Sequence, residues 1–198
     1  MITEKSRLKQ QIDFLLEIDK LKNIFRQSYL LEGKRRENSA EHSWHVAIMA
    51  ALLAEYADEE IDIGKAAKML LVHDIVEIDA GDTYCYDEKG AVSKKARENR
   101  AAGRIFGVLP EDQEKHFRKA WDEFEARKTP EAKFAAAMDR LMPVLHNFHT
   151  EGKSWREHKI SRGQVMDRVA CVREISGRLW EMIKSLIDQA VEKGYLEK

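Results

Sequence analysis

Five consecutive residues, His73-Asp74-Ile75-Val76-Glu77, hold the groups in this chain best suited to chemistry. Adjacent His and Asp side chains offer a cation one imidazole nitrogen and one carboxylate oxygen. Glu77 follows His73 by four residues, one turn away on the same face of a helix. A carboxylate placed there, not itself a ligand, can take a proton from a water polarised by the cation. Shuffling this composition gives about 0.5 His-Asp pairs, but only about 0.05 pairs with Glu three positions after the Asp. The run therefore points to hydrolysis, provided that other segments supply further ligands.

Two other segments do. His42 lies in Glu41-His42-Ser43-Trp44-His45, and Asp139 follows the apolar run Phe134-Ala135-Ala136-Ala137-Met138. A carboxylate buried in such a run must be paired or bound to a metal, because burying it bare is too costly. Pro143, four residues after Asp139, removes the hydrogen bond to the Asp139 carbonyl and predicts a kink. His42, His73, Asp74 and Asp139 then form a two-histidine, two-carboxylate set drawn from three helices. Mixed nitrogen and oxygen ligation suits Mn, Fe, Co, Ni or Zn better than Ca, with Mg also among the candidates. His45, three residues after His42, reads as a packing or supporting residue. His116, His146 and His149 read as surface or structural residues.

The elements that must position these groups are almost all helical. Three prolines and ten glycines leave few breaks, and no stretch alternates with period two. Leu8, Ile12, Leu15, Leu16 and Leu21 mark an amphipathic first helix. A basic loop, Gly33-Lys34-Arg35-Arg36, follows. Asn38 and Glu41 predict a capping box opening a helix through about Tyr56. Asp62 predicts the cap of the helix that carries His73, and Gly81 its left-handed end. Residues 82–93 read as a polar loop, and a helix runs from about Ser93 to Phe106. Pro110 and Thr129-Pro130 open two more helices. Ser161 to about Lys193 reads as one last helix, or two joined near Gly177. The expectation is an all-α bundle of six to eight helices, with residues 1–198 as one domain.

Composition narrows the function classes. A net charge of −1 gives no global electrostatic case for a nucleic-acid polymer or an anionic membrane. The charged fraction of 35% exceeds the usual roughly 25% and suits helices with solvated faces. No apolar run approaches about 18 residues, and the first residues lack a signal-peptide core, so a cytoplasmic protein is expected. Cys85 and Cys171 are too few and too isolated for a disulfide framework or a thiolate zinc site.

The order His, His-Asp, Asp resembles the HD superfamily of metal-dependent phosphohydrolases. Four segments are similar, more narrowly, to the bacterial HD-domain 5′-deoxynucleotidases and their eukaryotic relatives: Arg36 to Ser43, His73 to Glu77, Gly81-Asp82-Thr83, and Ala137 to Leu141. The likeness spans about residues 8–150. It implies His42, His73, Asp74 and Asp139 as ligands of one divalent metal ion. Glu77 would activate the attacking water, Asp74 would add a lesser catalytic role, Asp82 would line the nucleotide pocket, and Arg26 would hold the 5′-phosphate. It also implies a homodimer, for which Val169, Val172, Ile175, Leu179 and Trp180 could supply a face or pack internally. Two-metal HD enzymes need further histidines between the two halves of the motif, and this interval offers only His116. The characterised nucleotidases place a tryptophan just after the arginine. This chain has Gln27, Ser28 and Tyr29, which leaves sugar and base preference open.

The expected activity is thus phosphate release from nucleoside 5′-monophosphates, deoxynucleotides favoured. The rivals are another HD hydrolysis, of a nucleoside triphosphate or cyclic nucleotide, and a regulatory module that binds nucleotide or metal without catalysis. Glu77 argues against the module, because binding alone does not require that carboxylate.

Overall fold

The computed structural model describes residues 4–198. Its chain runs α1 (Glu4–Ile18), a 3-10 turn, β1 (Phe25–Tyr29), β2 (Arg36–Asn38), α2 (Ser39–Leu53), α3 (Ile63–Val72), α4 (Glu77–Ala80) and α5 (Glu88–Phe106). It continues through α6 (Glu111–Ala126), α7 (Pro130–His149), α8 (Lys153–His158), α9 (Arg162–Val169) and α10 (Gly177–Glu192). Among the described residues the fold is all-α apart from one hairpin, with eight longer helices and the two short pieces α4 and α8.

The hairpin is the element that patterning missed. β1 and β2 pair antiparallel, Phe25 opposite Asn38 and Tyr29 opposite Arg36. The basic loop closes it, with Gly33 at φ +69° and its amide donating to the Leu30 carbonyl. Its strands carry Arg26 and Glu37 inward, so polar residues occupy positions where alternation would place apolar ones.

Several helix ends follow from capping. Asn38 accepts from the Glu41 amide while the Glu41 carboxylate accepts from the Asn38 amide, the expected capping box. Asp62 caps α3 and Thr129 caps α7, with Pro130 in the first turn. α5 starts earlier than expected because Asp87 accepts from the amides of Lys89 and Gly90. The last helical stretch is two helices, α10 beginning at Ser176, whose hydroxyl accepts from the Leu179 amide. α7 continues through Pro143 to His149.

Two apolar clusters fill the interior. One centres on Phe134 to Met138 and Leu141 of α7, packed by α2, α3, α9 and α10. The other joins Phe14, Val72, Ile75, Val76, Ile105, Phe106 and Trp121. Met69 and Leu70 belong to the first and Val72 to Val76 to the second, so His73 and Asp74 lie on the seam between them. α1 departs from expectation: Leu8, Ile12, Leu15 and Leu16 face solvent, and Phe14 is its anchor in the core. Val169, Val172, Ile175 and Leu179 are buried within the chain, which removes them as a dimer face. Among the described residues, no helix is long and apolar enough to cross a membrane.

Gly152, at φ +70°, joins α7 to α8, and a Cβ there would overlap the Tyr195 carbonyl. Gly152→Ala should therefore lower stability by more than about 2 kcal/mol. Gly103→Ala, in the exposed interior of α5 with open space at its Cβ, should raise it by about 1 kcal/mol. Denaturant unfolding of the two variants checks the pair, and equal effects would contradict this packing.

Candidate metal centre

α3 ends at Val72, and the next residues tighten into a turn. The Ile75 amide donates to the Val72 carbonyl and the Glu77 amide to the Asp74 carbonyl, three residues back instead of four. The helix expected to carry His73 through Glu77 is therefore interrupted, and α4 restarts at Glu77. The tighter turn still points His73, Asp74 and Glu77 into one cavity.

His73 and Asp74 approach from this turn, His42 from the first turn of α2, and Asp139 from the middle of α7. Ligand atoms of His42, His73 and Asp139 all lie within 4.8 Å of one another, and all three side chains are largely or fully buried. His42 Nε2 is 3.0 Å from Asp139 Oδ1. His73 Nε2 is 3.0 Å from Asp74 Oδ1 and 3.7 Å from Asp139 Oδ1. Arg26 enters from β1: its Nη1 donates to Asp74 Oδ2 at 2.6 Å, and its Nη2 is 3.6 Å from Asp139 Oδ1.

One atom tests whether these residues fit a cation. His73 Nδ1 donates to the Leu70 carbonyl at 2.7 Å, which leaves Nε2 with a lone pair. That Nε2 is buried and makes no hydrogen bond, although two carboxylates surround it. A lone pair aimed among carboxylates takes up either a proton or a cation. His42 shows the same logic, its Nδ1 lying 3.2 Å from Glu37 Oε2 and its Nε2 turned to Asp139. Carboxylate and carbonyl partners of this kind fix imidazole orientation and raise its basicity. The donor set fits a divalent cation of the Mn to Zn series.

The electrostatics agree. Burial works against ionised Asp139, but the His42 and His73 imidazoles beside it outweigh burial and hold its carboxyl well below the ordinary range. Burial also opposes charge on Arg26, and the carboxylates of Asp74, Glu77, Asp139 and Asp82 reverse this and raise it. Glu77 goes the other way. Burial, then the nearby Asp74 charge, pushes it well above the usual carboxylate range, against the pull of Arg26 and a 2.8 Å hydrogen bond from Ser39 Oγ. Asp82 is likewise raised by burial.

All six expected site residues other than His42 line one cavity of about 230 Å3, and His42 stands behind it against Asp139. Tyr84, Tyr86, Phe124 and Trp155 form an apolar wall, and Lys94, Arg127, Arg140 and Arg168 a basic rim. Gln27 and Ser28 stand where the resemblance would place the tryptophan. Sequence reasoning missed Glu37, Ser39 and the three arginines of the basic rim, whereas Lys94 reads in the sequence as either a phosphate contact or a solvated helix start. Glu37 sits in a three-residue strand with no pattern of its own, and the rim is assembled from α5, the end of α6, α7 and α9. His146 is buried beside Glu37, not on the surface.

With this geometry in view, the family is shown. An HD domain model matches residues 18–180, and the chain belongs to the HD-domain family. It is 29% identical to the human 5′-deoxynucleotidase HDDC2, over 77% of this chain and 72% of that protein. Against the 5′-deoxynucleotidase hdd1 of Schizosaccharomyces pombe it is 26% identical, over 76% and 77%. The crystal structure of a predicted metal-dependent phosphohydrolase from Magnetospirillum magnetotacticum superposes over the full length of both chains, with a TM-score of 0.94 and 52% identity.

Burial lowers the His73 pKa, but Asp74 and Asp139 outweigh it and raise it to about 9. Without a cation His73 therefore carries a proton at neutral pH that ligation must expel. Co2+ affinity should rise about tenfold per pH unit below about 9 and then level, with proton release. Calorimetry in buffers of differing ionisation enthalpy checks this, and a pH-independent affinity would contradict it. The folded pKa lies above the ordinary 6.5, so this proton stabilises the cation-free fold fully below 6.5. That contribution is lost as pH rises through about 9.

Proposed function

We propose that this chain, residues 1–198 acting as one HD hydrolase domain, is a metal-dependent phosphomonoesterase that releases phosphate from nucleoside 5′-monophosphates. The observation that carries the reading is the pairing of a cation-ready donor set with a non-ligand carboxylate, Glu77, of raised proton affinity in the same cavity. The names of the HDDC2 and hdd1 relatives support the deoxynucleotide class.

His42, His73, Asp74 and Asp139 would hold one divalent ion. The ion supplies Lewis acidity, polarising a phosphate oxygen and lowering the pKa of water. Glu77 accepts the proton of the attacking water. A base whose proton affinity is raised by burial and by the neighbouring Asp74 carboxylate suits that task better than an ordinary glutamate. Ser39 fixes the Glu77 carboxylate through its 2.8 Å hydrogen bond. Arg26 neutralises phosphate charge from its place between Asp74 and Asp139. Asp74, which accepts from Arg26 Nη1 and would be a ligand of the ion, would hold both charges against the departing 5′-oxygen, which takes its proton from solvent. Asp82 lines the pocket on the nucleoside side. The aromatic wall offers the base a stacking surface, and Gln27 and Ser28 leave more room than a tryptophan would.

The basic rim favours one second reading. Arg140 Nε is buried without a partner. Arg127 is pushed down by burial and by the like charges of Arg140 and Arg168. Such a rim accommodates a longer phosphate chain, as in a nucleoside triphosphate.

The chain acts on a small molecule and not on a nucleic-acid polymer or a membrane in this reading. A second copy would meet Trp44, Ile48 and Leu52, an exposed stripe at i, i+4 and i+8 on α2. We place the protein in the cytoplasm.

Phosphate release from a panel of ribo- and deoxynucleoside mono- and triphosphates, with chelator-stripped protein given Co, Mn, Ni, Fe, Zn or Mg, tests the reading. Metal-dependent orthophosphate from monophosphates supports it, and pyrophosphate from triphosphates moves it to the second reading. Glu77→Gln should keep the cation and lose about 100- to 10,000-fold in kcat. Undiminished turnover removes Glu77 from the chemistry. Arg26→Lys keeps the charge but loses the fork, and should raise KM more than it lowers kcat.

A further inference from the structure

Buried polar atoms without a partner are rare, and two among the described residues are histidine ring nitrogens, His73 Nε2 and His146 Nδ1. The first faces the centre described above. The second faces a different cluster. Glu37 on β2, His45 on α2 and His146 near the end of α7 each present a ligand atom within 4.8 Å of the other two. Glu37 and His146 are buried, and His45 is half-buried, which leaves one side open to solvent.

Hydrogen bonding to His42 Nδ1 accounts for Glu37 but not for His146. His146 Nδ1 is 3.8 Å from Glu37 Oε2, too far for a hydrogen bond. The His45 and His146 rings are 5.8 Å apart and tilted by 46°, without a stacked overlap. Two donors on one cation at about 2.0–2.2 Å stand at most about 4.4 Å apart. Ligand atoms already within 4.8 Å of one another need to close by only a few tenths of an ångström to meet that limit.

We propose that Glu37, His45 and His146 form a second divalent-cation site, of the two-histidine, one-carboxylate type taken by Fe2+, Mn2+, Co2+ or Zn2+. It is separate from the catalytic donor set but joined to it: Glu37 Oε2 lies 3.2 Å from His42 Nδ1. A cation here draws on the same carboxylate that orients His42, so its occupancy tunes how firmly His42 is held. No substrate reaches it in this account, because none of the three residues lines the catalytic cavity.

The test is made on the full chain, stripped with chelator, reloaded with Co2+ and desalted. Cobalt is counted by mass spectrometry and located by anomalous diffraction at the cobalt edge. The expected result is about two equivalents, with one peak among His42, His73 and Asp139 and another among Glu37, His45 and His146. The double variant His45→Ala, His146→Gln should lose the second peak alone, and Asp139→Asn the first alone. The two sites thus fail or stand independently. One equivalent in the wild-type protein, with no peak beside His146, would overturn the proposal. So would a double variant with an unchanged count. The wild-type map decides the matter even if the double variant does not fold.

Discussion

Four carboxylates, those of Asp74, Glu77, Asp82 and Asp139, share one wall of a buried cavity, and Arg26 is the buried guanidinium set among them. Ionised groups in a protein interior are tolerated only when paired, and one arginine cannot neutralise four acids. The molecule answers in two ways. Glu77 and Asp82 are pushed toward the neutral form by burial and by each other's neighbours, while Asp139 stays ionised against two histidines. The remaining demand for positive charge falls on His73, which holds a proton in the cation-free protein and is freed for a ligand when that proton is expelled. A cation meets that demand, and an anionic phosphate can then share Arg26 and the cation.

The fold is organised around keeping that wall rigid. Two apolar clusters clamp the His73-Asp74 turn from both sides, so its backbone is fixed by Met69, Leu70, Val72, Ile75 and Val76. The alanine run Ala135 to Ala137 lets α7 lie deep among its neighbours and carry Asp139 to the centre. Asn147 ties the end of that helix to α8, donating to the Pro143 carbonyl and accepting from the Trp155 amide. The hairpin supplies what helices do not, two extended positions that reach inward, Arg26 from one strand and Glu37 from the other.

Much of this was legible in the sequence where chemistry and periodicity coincide. The His73-Asp74 pair, His42 after its capping box and Asp139 in an apolar run could each be singled out because a buried polar group needs a reason. The caps at Asn38, Asp62 and Thr129 follow from local side-chain to backbone hydrogen bonds and needed no tertiary context. The hairpin was not legible, since its strands are short and polar. The break after Val72 was hidden too, because Ile75 and Val76 keep an apolar pattern compatible with a continuous helix. Glu37 and His146 carry no signal along the chain. They meet only because β2 and α7 both pack against α2. The exposed stripe on α1 shows the converse limit: apolar spacing marks a face and does not say whether that face is covered by this chain.

In the proposed reading the buried carboxylate wall is completed by a divalent cation held through Asp139. Thermal unfolding of chelator-stripped protein, titrated with Co2+ or Mn2+, tests it most directly, because a ligand of the folded state alone raises the melting temperature by mass action. The account predicts a saturable rise of several degrees in the wild-type protein that is largely lost in Asp139→Asn. A melting temperature indifferent to the cation, or a rise of equal size in Asp139→Asn, would contradict it.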